Sequence, residues 1–244
     1  MRFEAIFFDL YNTLIHFDFS MLPEVKFKGQ TVPTTSVEVH RRVEKEFNCS
    51  IPYQRFMRAF LESKEHVTEI REKEYREVSC LERFKIVCRW LDIDVQIADF
   101  IVKVHMGEMF RIMYCPERTK NLIGMLSEIP LVLVSNFDHA ETVYRALDGF
   151  GLKDYFCDIF ISDAIGWRKP GRKFFEIVLE KTQHDPKRCL YVGDDVVADV
   201  LGATRAGFQV AWLMGKSQIE KPARAPRWIV SDLQEIVGIV KGSN

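Results

Sequence analysis

One pattern narrows the fold more than any other: short apolar runs that end on a polar residue, alternating with stretches of helical periodicity. The first is Phe3-Glu4-Ala5-Ile6-Phe7-Phe8-Asp9, and comparable runs fall at 130–135, 158–162, 189–193, 209–213 and 227–231. A strand without polar alternation is one buried on both faces, as in a parallel sheet covered by helices. Helical patterns over 140–147, 172–181, 196–206 and 233–240 separate the later runs. Strands alternating with helices predict an α/β fold with a Rossmann-like parallel sheet. In such a sheet the carboxyl ends of the strands share one rim.

Residues 17–112 break the alternation. A loop rich in Pro, Gly and Thr (20–36) leads into charged, amphipathic helix with no convincing strand. Glu69/Lys73 and Glu72/Arg76 are (i, i+4) pairs in the favourable order, and the run 62–77 reads as a solvated helix face without functional weight. The expected organisation is an α/β core from 1–16 and 113–244, with an all-helical cap inserted over 17–112. A lid placed there would cover the carboxyl end of the sheet, where ligands of open α/β folds bind.

Composition excludes several classes. Apolar residues make up 47% of the 244, and 34 Lys+Arg against 35 Asp+Glu leave a net charge of −1. A disordered chain would have low hydrophobicity and high net charge. A nucleic-acid partner would call for a basic face, which is not seen. No apolar run is long enough to span a bilayer, and the first residues lack the pattern of a signal peptide. Six scattered cysteines without a Cys-x-x-Cys pair read as reduced thiols, so a cytoplasmic location is expected. The sequence carries no reading of oligomeric state.

Four polar groups sit at the carboxyl ends of the expected strands: Asp9 with Thr13, Ser135-Asn136, Lys169-Pro170, and Asp194-Asp195 with Asp199. Each alone is explained as a cap, a turn former or a surface residue. On one rim they supply a carboxylate nucleophile, a hydroxyl and an amide for an oxyanion, a cation, and carboxylates for a metal. Gly215-Lys216-Ser217 lacks the earlier glycine of a phosphate loop and reads as a turn, and the basic stretch 216–227 reads as a solvated connection. His139 or Asp138 reads as the start of the next helix.

In this order and on these elements, the motifs resemble those of the haloacid dehalogenase-like hydrolase superfamily. They are Phe7-Phe8-Asp9-Leu10-Tyr11-Asn12-Thr13-Leu14, then Val134-Ser135-Asn136, then Gly166-Trp167-Arg168-Lys169-Pro170, then Gly193-Asp194-Asp195 with Asp199. The resemblance implies Asp9 as a nucleophile that forms an aspartyl intermediate, steadied by Thr13. It implies Ser135, Asn136 and Lys169 as the groups that bind the transferring phosphoryl. Mg2+ is expected on Asp9, the carbonyl of Tyr11 and Asp194, with Asp195 or Asp199 in support. The expected activity is Mg2+-dependent hydrolysis of a small phosphate ester.

At one position the chain departs from most phosphatases of the superfamily. They carry an acid/base Asp two residues after the nucleophile, and here that residue is Tyr11. Asp-x-Tyr-x-Thr is similar to the dehalogenases, in which Asp attacks carbon without a metal. A third reading is a catalytically degenerate member that binds phosphate or a protein. The acidic fourth motif favours the phosphatase, because clustered carboxylates repel one another unless a cation binds.

Overall fold

The structure, a computed structural model, describes residues 3–215 and 226–242. Lys216 and Ser217, with most of the basic stretch that follows, lie outside the described residues. Contacts divide the chain into two units: 1–16, 75–77 and 114–244 form one, and 17–74 with 78–113 the other.

The first unit is built on a six-stranded parallel sheet of Rossmann-like type. Its strands are β1 (Ile6–Phe8), β2 (Leu131–Ser135), β3 (Phe156–Ile161), β4 (Leu190–Gly193), β5 (Gln209–Leu213) and β6 (Trp228–Val230). The order across the sheet is β6-β5-β4-β1-β2-β3. Ile6 pairs with Leu131 on one side and Leu190 on the other. After β1 the chain builds outward through β2 and β3, then returns to the other side of β1 to begin β4. That reversal opens a crevice at the carboxyl ends of β1 and β4, the usual place for a ligand in an open α/β sheet.

Burial follows from the apolar runs. Phe7, Val132, Val134, Tyr191, Val210 and Trp212 share one core cluster with Phe174, Phe175, Val178, Val200 and Ala203 from the following helices. Their strand neighbours Ile6, Phe8, Leu131, Leu133 and Val192 are equally buried and, by the two-residue period, face the opposite side. A sheet buried on both faces is what the lack of polar alternation required.

The second unit contains α1 (Ser36–Phe47), α2 (Tyr53–Glu74), α3 (Cys80–Leu91) and α4 (Ile97–Arg111). Ser79 and Glu82 form a reciprocal capping box that starts α3. Arg83 is buried, with its guanidinium 4.9 Å and 4.7 Å from the centroids of the Phe60 and Phe84 rings, and donates to Ser63 Oγ and Phe60 O.

The structure departs from the sequence expectations in two segments. Residues 20–36 are not simply loop, because Glu24–Phe27 and Gln30–Pro33 pair as an antiparallel hairpin. Lys28 and Gly29 at the turn hold φ of 47° and 80°, conformations suited to a tight reversal. The run 62–77 is not one solvated helix face. The helix ends at Glu74, Tyr75 takes a φ of 52°, Arg76 forms an antiparallel bridge with Trp167, and Glu77 is buried. Glu72/Arg76 is therefore no helical pair.

All six cysteines are free thiols. Among the described residues, no helix is long and apolar enough to cross a membrane.

Candidate active site

The site starts at the end of β1, where Asp9 N–H donates to Val192 O and locks the residue to β4. The chain then doubles back. Leu14 and Ile15 both donate to Leu10 O, and Asn12 holds a φ of 62°, a conformation Asn tolerates better than most residues. This tight turn returns Thr13 Oγ1 to 3.1 Å from Asp9 Oδ2 and 3.5 Å from Asp194 Oδ1.

Lys169 reaches the same point from the loop after β3, next to a cis peptide at Pro170. Its ammonium donates to Asp9 Oδ1 and Asp199 Oδ1, each at 2.7 Å, and to Val134 O at 2.9 Å. Burial alone would lower its pKa, but Asp199 and Asp9 outweigh that cost and raise it, so the lysine stays charged. Asn136 holds this loop with both ends of its amide: Nδ2 donates to Lys169 O and Oδ1 accepts from Lys169 N, both at 2.9 Å. The side chain of Asn136 is thus committed to holding this loop. Ser135 is fully buried, and its Oγ has no hydrogen-bond partner among the described residues. A buried hydroxyl without a partner is costly unless a ligand supplies one.

The loop after β4 completes the group. Carboxylate oxygens of Asp9, Asp194 and Asp199 lie within 4.8 Å of one another. Gly193 permits this, since a Cβ there would stand 2.5 Å from the Asp199 carboxylate. Trp212 Nε1 fixes the Asp194 carbonyl at 2.9 Å. Burial and then the neighbouring carboxylates push Asp194 up to about 8. Asp9 is raised to about 6 by burial, against the pull of Lys169. Three carboxylates against one ammonium leave an excess of negative charge, and the donors are all hard oxygens. This set fits a divalent cation such as Mg2+.

Asp199 and Asp195, which the sequence left as alternatives for supporting a metal, separate here. Asp199 is buried within the cluster, while Asp195 is exposed and caps the next helical turn through Val197 N and Ala198 N. That turn, Val196–Leu201, is π-helical, a form frequent at functional sites. Asp195 therefore stands outside the carboxylate cluster.

Tyr11 is buried with its ring 4.6 Å from that of Phe137. Burial, with Asp9 and Asp138 nearby, pushes the phenol well above its ordinary value, so it remains protonated at any working pH. His139 caps the helix Ala140–Gly149. A cleft of about 410 Å³ opens beside Thr13 and Asp194, lined also by His16, Arg118 and Ser231. Sequence reasoning missed Tyr191, whose hydroxyl donates to Asp199 Oδ1 and accepts from Lys169. Inside an apolar strand it carries no polar signal.

A family model described as haloacid dehalogenase-like hydrolase matches residues 3–207. The pyrimidine 5'-nucleotidase YjjG of Escherichia coli is 38% identical over 106 residues, which are 43% of this chain and 46% of that protein. The chain thus spans about half the length of that relative. Among solved structures, the magnesium-bound putative hydrolase YfnB of Bacillus subtilis aligns with a TM-score of 0.65 at 20% identity, over 98% of this chain and 99% of its own. A 2-haloacid dehalogenase of Pseudomonas syringae aligns at 0.72 with 18% identity, over 99% and 100%. At these identities the two structures speak for the fold alone.

Proposed function

Because the chain belongs to the haloacid dehalogenase-like hydrolase family, we propose that it hydrolyses a small organic phosphate through a covalent phosphoryl intermediate on Asp9, with Mg2+ as cofactor. The observation that carries this reading is the carboxylate cluster of buried Asp9 and Asp199, both paired with Lys169, and half-buried Asp194 beside them. An enzyme that attacks carbon and releases halide has no need of that negative charge. A cation-dependent phosphoryl transfer does.

Asp9, Asp194 and the carbonyl of Tyr11 would hold Mg2+, with Asp199 in support. When bound, the ion offsets charge on the phosphoryl oxygens. The remaining work falls to the chain. Lys169 keeps Asp9 ionised by direct contact and counters charge that builds on the transferring group. Thr13 holds the second Asp9 oxygen and so fixes the angle of attack. Ser135 Oγ and the Asn136 N–H donate to phosphoryl oxygens. Asp9 attacks phosphorus, the ester oxygen leaves with the bonding pair, and water then releases phosphate and restores the carboxylate.

Tyr11 shapes the substrate range. A phenol held neutral and made less acidic is a poor proton donor, and it cannot serve as a base for water. The missing proton must therefore come from the cap or from water, or the leaving group must be of low basicity and need none.

The test is a panel of phosphate esters assayed with Mg2+ and then with chelator. Turnover that needs the metal and is lost in Asp9→Asn supports the reading. Halide release from a 2-haloacid, indifferent to chelator, would replace it with dehalogenation. Binding of phosphate without turnover on either panel would indicate a degenerate member.

A further inference from the structure

Glu77 lies in the five-residue segment 75–79 between α2 and α3, and its side chain is 1% exposed. An ionised carboxylate is costly to bury unless both its charge and its lone pairs are matched. Here they are. Arg168 Nη1 stands 3.1 Å from each carboxylate oxygen, and Ser162 Oγ donates to Oε2 at 2.5 Å. A serine hydroxyl has one hydrogen, so with that hydrogen on Glu77 the same oxygen accepts from Phe137 N at 2.9 Å.

The two arms end on two different loops. Phe137 follows Asn136, and Arg168 precedes Lys169. The Asn136 amide joins those loops directly through both backbone groups of Lys169. The bonds therefore close a ring: Glu77, Ser162, Phe137, Asn136, Lys169, Arg168 and back to Glu77. Backbone bonds seat the segment against the second loop, with Arg168 N donating to Tyr75 O at 2.9 Å and Glu77 N to Gly166 O at 3.0 Å. Gly171 marks how close this approach is, since a Cβ there would lie 2.6 Å from Tyr75 Cβ.

We propose that Glu77 is a positioning residue, which holds the Asn136–Phe137 and Arg168–Lys169 loops in mutual register so that the oxyanion donors and the lysine meet at Asp9. It touches no reacting atom itself. The proposal rests on the phosphatase reading for the identity of the ligand, and on the hydrogen-bond ring for the rest. Loosening the ring moves the phosphoryl-binding groups by fractions of an ångström, and even about 1 Å of misplacement can cost on the order of a hundredfold in rate.

The experiment uses the full chain with Mg2+, comparing wild type with Glu77→Gln and Ser162→Ala. Turnover of p-nitrophenyl phosphate is measured beside calorimetric affinity for inorganic phosphate and the folded fraction. In Glu77→Gln, kcat per folded molecule should fall about tenfold or more, and phosphate affinity about fivefold. Ser162→Ala, which cuts one arm only, should move both in the same direction by less. A lowered thermal midpoint with kcat per folded molecule and phosphate affinity unchanged would overturn the proposal, leaving a plain structural anchor. Should Glu77→Gln fail to fold, Ser162→Ala decides by the same two quantities. Absence of wild-type turnover would count against the phosphatase reading alone. Phosphate affinity would still decide the role of Glu77, weakened in support and unchanged in contradiction.

Discussion

Lys169 Nζ lies 2.7 Å from Asp9 Oδ1, in an ion pair whose lysine side chain is 1% exposed. Such a pair adds little net stability over an apolar replacement, but removing one partner strands the other. Here it would strand two carboxylates, since Asp199 shares the same ammonium. Lys169→Met should therefore cost about 3–5 kcal/mol of stability, read as a lowered denaturation midpoint. It should also abolish turnover, while Lys169→Met combined with Asp199→Asn should recover part of the stability and none of the activity.

Tyr11 sets the second expectation. General acid–base help is typically worth about 10²–10⁴-fold. Tyr11→Asp should raise turnover, most of all on alkyl phosphates, whose leaving groups need a proton. The ratio of p-nitrophenyl phosphate to alkyl phosphate rates should fall accordingly. An unchanged ratio would count against the account of the substrate range.

The acidic residues should differ in what they do for a metal. Mg2+ bound to the folded state alone raises stability by about 2.7 kcal/mol at a hundred times its Kd. That rise should be seen in thermal melts of the wild type and lost in Asp194→Asn. Asp195→Ala should keep it, while lowering the metal-free midpoint by the loss of a helix cap, about 1 kcal/mol.

His16 carries a pH dependence. Its pKa is lowered from the ordinary 6.5, chiefly by burial and then by the Arg118 charge. The folded state thus binds fewer protons than the unfolded state in the range where histidine titrates, so stability rises with pH there. This contribution is complete above the unfolded pKa and is lost as pH falls through the folded one. Ring-proton NMR should give a midpoint below 6.5, and His16→Gln should flatten the acid limb of the stability profile.

Much of this architecture is written in the sequence because its causes are local. A run such as 130–135 is short and has no polar alternation, so between helical stretches it reads as a strand covered on both faces, and Asp9 and Ser135 are placed at the rim by ending such runs. What stayed hidden depends on contacts across the chain. Asp195 and Asp199 look alike in sequence, and only the helical turn between them sends one to the amides and the other inward. Tyr191 sits inside an apolar strand, and its hydroxyl matters only because Lys169 arrives opposite. Glu77 closes a stretch of charged helix pattern, and its burial follows from the Trp167 bridge 91 residues beyond Arg76. The 24–33 hairpin has too few apolar residues to stand out from a loop.

Transfer of the phosphoryl group through Asp9 leaves a covalent mark on the chain. Rapid acid quench during turnover of p-nitrophenyl phosphate, followed by peptide mass spectrometry, tests it directly. One added phosphoryl group is expected on the peptide that carries Asp9, absent from Asp9→Asn and from reactions run with chelator. Turnover with no adduct on that peptide, and with activity retained in Asp9→Asn, would contradict it.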